Sequence, residues 1–275
     1  MKPSRSVPRE SSPSAVARAA RAGVSLIWLV PFVALVVTLA LGWNAYNGRG
    51  TLVSVAFTDA TGITPGETEL PLDRPRSRDS EVTGRSGSSV TSTIDHDTYG
   101  AIRTIATEAD ATVFMVLHAS VSLLLRSLAQ SSDVIIGTPV SGRGDADLDD
   151  LVGMFVNTLA LRTVVDKDLS FADLVAHVRD TDLNAFDNAD MPFDRLVTEL
   201  NPARSGNVHP YFQVSMALED RSAIRLDFAG LSATASRVDT GRTTFDLQFT
   251  FTEVRGATGE PAGLTLEIGY ATALF

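Results

Sequence analysis

The chain has 275 residues, enough for one large or two small domains, and it is 44% apolar, 20% charged and 7% aromatic, so wholesale disorder is excluded. It has no Cys, which excludes a disulfide framework, a thiol nucleophile and thiolate metal ligation. A formal net charge of −10 argues against nucleic acid as a partner, because affinity for phosphate comes from cationic contacts. The charge is unevenly spread. Residues 1–68 hold six Lys/Arg against three acids, so a basic head precedes an acidic body.

Residues 1–22 form the basic tail. No charged side chain lies between Arg21 and Arg49, and Val24 to Trp43 is almost wholly apolar. About 20 such residues cross a ~30 Å hydrocarbon layer, so 23–47 is read as a single membrane span. A signal peptide would have a shorter apolar run. Pro31 is tolerated in lipid, and Trp28, Trp43 and Tyr46 sit where interfacial rings collect. Five basic residues before the span, against one Glu, place the N-terminus in the cytoplasm and the body beyond the membrane. Val53, Val55 and Phe57 then alternate as in a strand, with turns at Gly62 and Pro65-Gly66. Ile27-Trp28-Leu29-Val30-Pro31, the linker Tyr46 and the stretch Ala60 to Gly66 resemble the start of a paraquat-inducible protein B-type member of the mammalian-cell-entry family. That resemblance covers residues 23–68, stops after one strand, and implies lipid transfer between envelope membranes.

The body alternates helix and strand patterns. Residues 73–93, rich in Ser, Arg, Gly and Thr, read as a loop entering a strand. Tyr99, Ile102, Ile105 and Ala109 fall near helical spacing, and Thr112 caps a second, broadly apolar run from Val113 to Leu128. Val134 to Ile136 is a short buried strand ending at Gly137, and Phe155 to Val165 is another. Ser170 with Asp173 opens a helix, and Pro192 suits the first turn of a further one over Phe193 to Leu200. Tyr211 to Leu218, Phe245 to Phe251 and Leu264 to Tyr270 read as late strands. Together they make an α/β sandwich on one sheet.

Three strings then arrive in order: 152-VGMFVNTLALR-162, 188-NADMPFDRL-196 and 203-ARSGNVHPYFQV-214. They are similar to the Gly-x-Phe-Val-Asn-Thr, Gln-Asp-x-Pro-Phe-Glu and Ser-Arg-x-Pro-Leu-Phe motifs of nonribosomal peptide synthetase condensation domains. The stretch from Glu69 to Arg76, 137-GTPVSGR-143 and 245-FDLQFTFTE-253 also have counterparts there. The resemblance spans 69–275 and implies the C-terminal lobe of a chloramphenicol acetyltransferase-like fold. In that family two lobes enclose a tunnel, into which donor and acceptor carrier proteins insert phosphopantetheine arms. The acceptor amine attacks the donor thioester. By motif order a floor loop falls near Gly142 to Asn157, and a latch over the other lobe near Arg237 to Phe251. Gly153, Phe155, Val156, Asn157, Thr158 and Arg162 are the implied tunnel residues; Asp190, Pro192, Phe193, Pro210 and Phe212 are the implied structural ones. Asn157 on an apolar strand needs a partner if buried, either tying the strand to a loop or lining the tunnel.

Acyl transfer needs a proton-organising group within reach of the amine. The family supplies it from a His-His-x-x-x-Asp-Gly motif in the other lobe, and none of His96, His118, His177 and His209 forms even His-x-x-x-Asp. His118 reads as core or helix surface, His177 as exposed and His209 as a loop-shaping residue. The acids from Asp145 to Asp150 lack Ca²⁺-loop spacing, and no nucleophile elbow occurs. The expectation is an inactive half-domain, tethered to a membrane, whose partners are carrier proteins and a missing N-terminal lobe. The family's usual cytoplasmic residence conflicts with the span's topology. A lipid-transport subunit, a non-catalytic scaffold and two fragments joined near Thr68-Glu69 are the alternatives.

Overall fold

Successive side chains of a strand point to opposite faces, so Leu247-x-Phe249-x-Phe251 and Leu264-x-Leu266-x-Ile268 each present one apolar face. In the computed structural model Phe249 pairs with Ile268 and Phe251 with Leu266, all four buried. The structure describes residues 70–76, 85–143, 146–148, 150–200, 209–220, 227–228, 231–232, 238–256 and 258–275. The expected tail, span and first strand (1–22, 23–47 and 48–68) lie outside the described residues.

In chain order the elements are β1 (Arg85–Ile94), α1 (His96–Glu108), α2 (Val113–Ala129), β2 (Asp133–Ser141), a 3₁₀ turn (Ala146–Leu148), β3 (Val156–Val164), α3 (Phe171–Asp187) and α4 (Phe193–Leu200). There follow β4 (Val214–Glu219), three two-residue strands β5 (Asp227–Phe228), β6 (Leu231–Ser232) and β7 (Arg242–Thr243), then β8 (Leu247–Arg255) and β9 (Pro261–Ala271). Seven strands form one mixed sheet in the order β3-β2-β4-β8-β9-β1-β7, with β4 parallel to β2 and β8 and the other pairs antiparallel. The pair β5–β6 stands apart.

Each helix starts on a side-chain cap. Asp95 Oδ1 accepts the Thr98 amide at 2.8 Å, and Thr112 Oγ1 accepts that of Met115 at 3.3 Å. Ser170 Oγ accepts the Asp173 amide at 3.1 Å and donates to the Asp173 carboxylate at 2.6 Å. Such caps satisfy amides that the first helical turn leaves open, each contributing about 1 kcal/mol. Helices α1, α2 and α3 cover one face of the sheet, with α1 on β9, α2 on β2 and α3 on β3, and bury Ile102, Leu117, Leu124, Leu125, Val175 and Val178 in one cluster with Phe249, Phe251, Leu266 and Ile268. The other face carries a small cluster of Ile135, Tyr211 and Phe212, joined by Phe193 and Val197 of α4.

Two buried polar clusters fasten these layers. Asp246, 3% exposed, accepts from Arg85 at 2.6 Å and from Arg76 at 3.1 Å, which pins the entering linker and β1 beside the start of β8. His118 on α2 and Asp182 on α3 are both fully buried, with His118 Nδ1 2.9 and 3.1 Å from the two carboxylate oxygens. Its Nε2 faces Thr163 Oγ1 of β3 at 3.5 Å. Removing one member of such a buried pair leaves the other charged or polar group stranded, at a cost of about 3–5 kcal/mol.

Several sequence expectations need correction. The Ser/Gly-rich stretch read as a loop entering a strand is strand from Arg85 onward, where β9 pairs with it from Gly87 to Ile94 and pairing overrides the weak strand propensity of its Ser and Gly. Its Val90 and Ile94 are the residues that reach the core. The strand expected from Tyr211 begins at Val214, because Tyr211 and Phe212 turn into the second-face cluster. Of the stretch expected to form the latch, Leu247 to Phe251 belong to β8 in mid-sheet, with Leu247, Phe249, Thr250 and Phe251 buried, and Arg237 lies outside the described residues. Among the described residues no single helix is long and apolar enough to cross a membrane. The bent pair α1–α2 has the length and apolarity of a broken span, but its apolar residues are spent in the core.

Phe212 lies directly over Gly137 of β2, where an added Cβ would sit 1.9 Å from the ring edge. Gly137→Ala is therefore expected to overpack this face and cost about 1–3 kcal/mol, lowering Tm by several degrees in calorimetry. An unchanged Tm would contradict the contact.

Candidate functional site

The second-face cluster and the β2–β3 hairpin hold most of the motif residues. Asn157, near the start of β3, spends its whole carboxamide on the segment between α3 and α4. Its Nδ2 donates to the carbonyls of Ala189 and Met191, each at 2.8 Å, and its Oδ1 accepts the Phe193 amide at 3.1 Å. That acceptance caps α4, whose first turn follows Pro192. The chain thus crosses from α3 on the first face to α4 on the second under the control of one side chain.

Phe193 then enters an aromatic group. Its ring stacks on His209 with centroids 5.5 Å apart and meets Tyr211 edge-on at 6.0 Å. His209 also lies 4.2 Å from the Phe212 ring and 5.4 Å from Phe245. Pro210 is half-buried beside it, and Gln213 Nε2 donates to the His209 carbonyl at 3.2 Å. Burial pulls the His209 imidazole down to about 4, against a smaller upward pull from hydrogen bonding to the Phe212 backbone. Burial likewise pushes the Tyr211 hydroxyl up, and that oxygen has no partner among the described residues.

The remaining motif residues are spread out. Gly153, Val156, Asp190 and Pro192 are exposed, and Thr158 is half-buried. Phe155 is half-buried under the Arg143 guanidinium, 4.2 Å from the ring centre. Arg162 lies at the far end of β3, held by Asp133 through Nε at 2.9 Å and a second nitrogen at 2.8 Å, a two-point ion pair. So the structure brings Asn157, Phe193, Pro210 and Phe212 together, keeps Gly153 and Phe155 on the hairpin tip, and sets Arg162 apart.

The only His–carboxylate pair described, His118–Asp182, has the chemistry of an acid–base couple but is sealed from solvent and cannot meet a substrate. Asp182 was missed in the sequence, although it continues the buried stripe Leu174, Val175 and Val178 and so marks a polar residue that needs a buried partner. His177 is half-buried rather than exposed, with a shielded Nε2 that has no partner among the described residues. Among the described residues no group of three His or carboxylate side chains could hold a metal ion. Arg143 was also missed as an organiser of the hairpin, since the sequence reading grouped it with an acidic loop.

A family-wide sequence profile described as Condensation domain matches residues 62–275. The chain belongs to the condensation domain family. It is 38% identical over 211 residues to the isonitrile lipopeptide synthase of Mycobacterium tuberculosis, covering 77% of this chain and 8% of that protein. It is 36% identical over 211 residues to the dimodular nonribosomal peptide synthase of Bacillus subtilis, covering 77% of this chain and 9% of that one. The chain thus spans under a tenth of the length of these curated relatives. In fold it is similar to the X-domain from teicoplanin biosynthesis, with a TM-score of 0.69 at 22% identity, covering 94% of this chain and 52% of that one. The α/β fold is therefore that of a condensation domain, over about half of its length.

The His209 environment makes a pH prediction. The folded imidazole titrates near 4 and the unfolded one near 6.5, so on acidification the unfolded chain takes the proton first. This contribution to stability is complete above the unfolded value and is lost as pH falls from 6.5 to 4. His209→Asn is expected to flatten the acid limb of stability against pH across that window. In NMR titration the wild-type ring stays neutral at pH 5; a ring titrating near its ordinary value would contradict the account.

Proposed function

We propose that residues 69–275 are the C-terminal lobe of a condensation domain for amide-bond formation between carrier-bound groups, inert until an N-terminal lobe completes it. The observation that carries the reading is the pairing of half-length coverage with an uncovered apolar tip. The match covers 52% of the X-domain chain, and Leu151, Val152 and Met154 on the hairpin are 52%, 105% and 86% exposed. An apolar surface of this kind marks a place where another protein packs.

In the complete reaction the acceptor amine attacks the donor thioester carbonyl. A C–N bond forms, the C–S bond breaks, and the thiol of the donor's phosphopantetheine arm leaves. The amine's proton must be taken by a positioned group within hydrogen-bond reach. The residues of this lobe supply shape: Asn157 fixes the α3–α4 crossing, and the hairpin presents its tip. The phosphopantetheine arms belong to the carrier proteins and enter as substrates. The apolar segment 23–47 is proposed, from its sequence, as a single anchor with the N-terminus in the cytoplasm. Protease protection on vesicles tests that topology, and a body cleaved only from the cytoplasmic side contradicts it.

The activity test uses the full chain with loaded donor and acceptor carrier proteins. No amide product is expected from the chain alone, and product is expected once a separately expressed condensation N-terminal lobe is added. Turnover by the chain alone overturns the non-catalytic reading. Absence of product with the added lobe overturns the half-domain reading.

A further inference from the structure

The loop between β2 and β3 runs from Gly142 to Phe155, long for a hairpin. It holds four Asp and a single cation, Arg143. Among the described residues of this loop the Leu151 amide donates to the Leu148 carbonyl at 3.2 Å, and two side-chain hydrogen bonds and a ring contact meet at Arg143. The Arg143 guanidinium donates to the carbonyl of Leu148 and, at 2.7 Å, to that of Leu151. The same group sits over Phe155, 4.2 Å from the ring centre. Its own amide donates to Ser141 Oγ at 3.3 Å, and the neighbouring Gly142 amide donates to the Phe155 carbonyl at 2.5 Å, closing the neck of the hairpin.

We propose that Arg143 is the positioning residue of this hairpin, holding Leu151, Val152 and Met154 ready as one apolar contact surface for the partner lobe. The inference rests on the half-domain reading for the partner's identity, but the shape of the tip stands on this chain alone. Two main-chain carbonyls and one ring face are held at once, which requires a planar fork. A lysine has the charge but neither the fork nor the flat face. Ordering the tip before contact removes an entropic cost that the partner would otherwise meet on binding.

The test uses the full chain as wild type, Arg143→Gln and Arg143→Lys. Chymotrypsin cleavage after Leu151, Met154 or Phe155 is expected to be at least about tenfold faster in both variants, with Tm of the body unchanged because the tip lies outside the core. In the complementation assay with an N-terminal lobe, the half-saturating concentration of that lobe rises about tenfold while the plateau rate holds. Wild-type cleavage rates in Arg143→Gln overturn the proposal, as does full rescue by Arg143→Lys, which would make charge alone sufficient. If no wild-type complementation occurs but cleavage accelerates, the half-domain reading fails and the positioning role stands. A lowered plateau with unchanged half-saturation overturns the docking role.

Discussion

A single carboxamide joins the two faces of this sheet. Helices α1 to α3 cover one face with a large apolar core, and the other is left to α4 and a handful of rings. The chain must pass from one side to the other between Asn188 and Pro192, a stretch whose own main-chain groups have few places to go. Asn157 donates to two of its carbonyls and accepts the first amide of α4, so both donors and the acceptor oxygen of the side chain are engaged on that crossing. With α4 placed, Phe193 stacks on His209 and the rings of Tyr211 and Phe212 close over Gly137. The Asn of the Gly-x-Phe-Val-Asn-Thr string thus acts here as a structural pin.

The electrostatics follow the same division. Charged groups inside the body are spent on fastening: Asp246 on two arginines, Asp182 on His118, Asp133 on Arg162. Asp246 and Asp182, both buried, satisfy the rule that a buried polar group needs a partner, while the Asp133–Arg162 pair is partly exposed at the sheet edge. Acid–base chemistry needs a group that is both polarised and reachable, and the His118–Asp182 pair meets the first condition while being closed to solvent. The accessible surface at the hairpin tip is apolar instead, and it offers contact rather than proton transfer.

The sequence was most informative where local and long-range preferences agree. The apolar period of α2, the Ser170–Asp173 cap and the alternation of Phe249 and Phe251 all name their elements, because the residues that form them also face the core. It was least informative for β1, whose Ser and Gly have little strand preference of their own and are held by β9. The partners of buried polar groups were also hidden: nothing adjacent to His118 points to Asp182, 64 positions away. Of the motif residues, Asn157 could be flagged as a polar group on an apolar strand, but its three partners lie more than 30 positions on. Spatial pairing of that kind depends on the fold and cannot be read from spacing alone.

The pin is tested most directly by amide hydrogen exchange on the full chain carrying Asn157→Leu, a change that keeps the size of the side chain and removes its polar atoms. Loss of these hydrogen bonds, worth about 1–1.5 kcal/mol each, predicts exchange about tenfold faster or more at the Phe193 amide, which loses its acceptor, and faster exchange at the turn amides of Ala189 and Met191 as the crossing they belong to loosens. The amides of Phe249 and Ile268, in mid-sheet, should keep their wild-type rates. Unchanged protection from Ala189 to Phe193 would contradict the account and return the placement of α4 to the aromatic cluster alone.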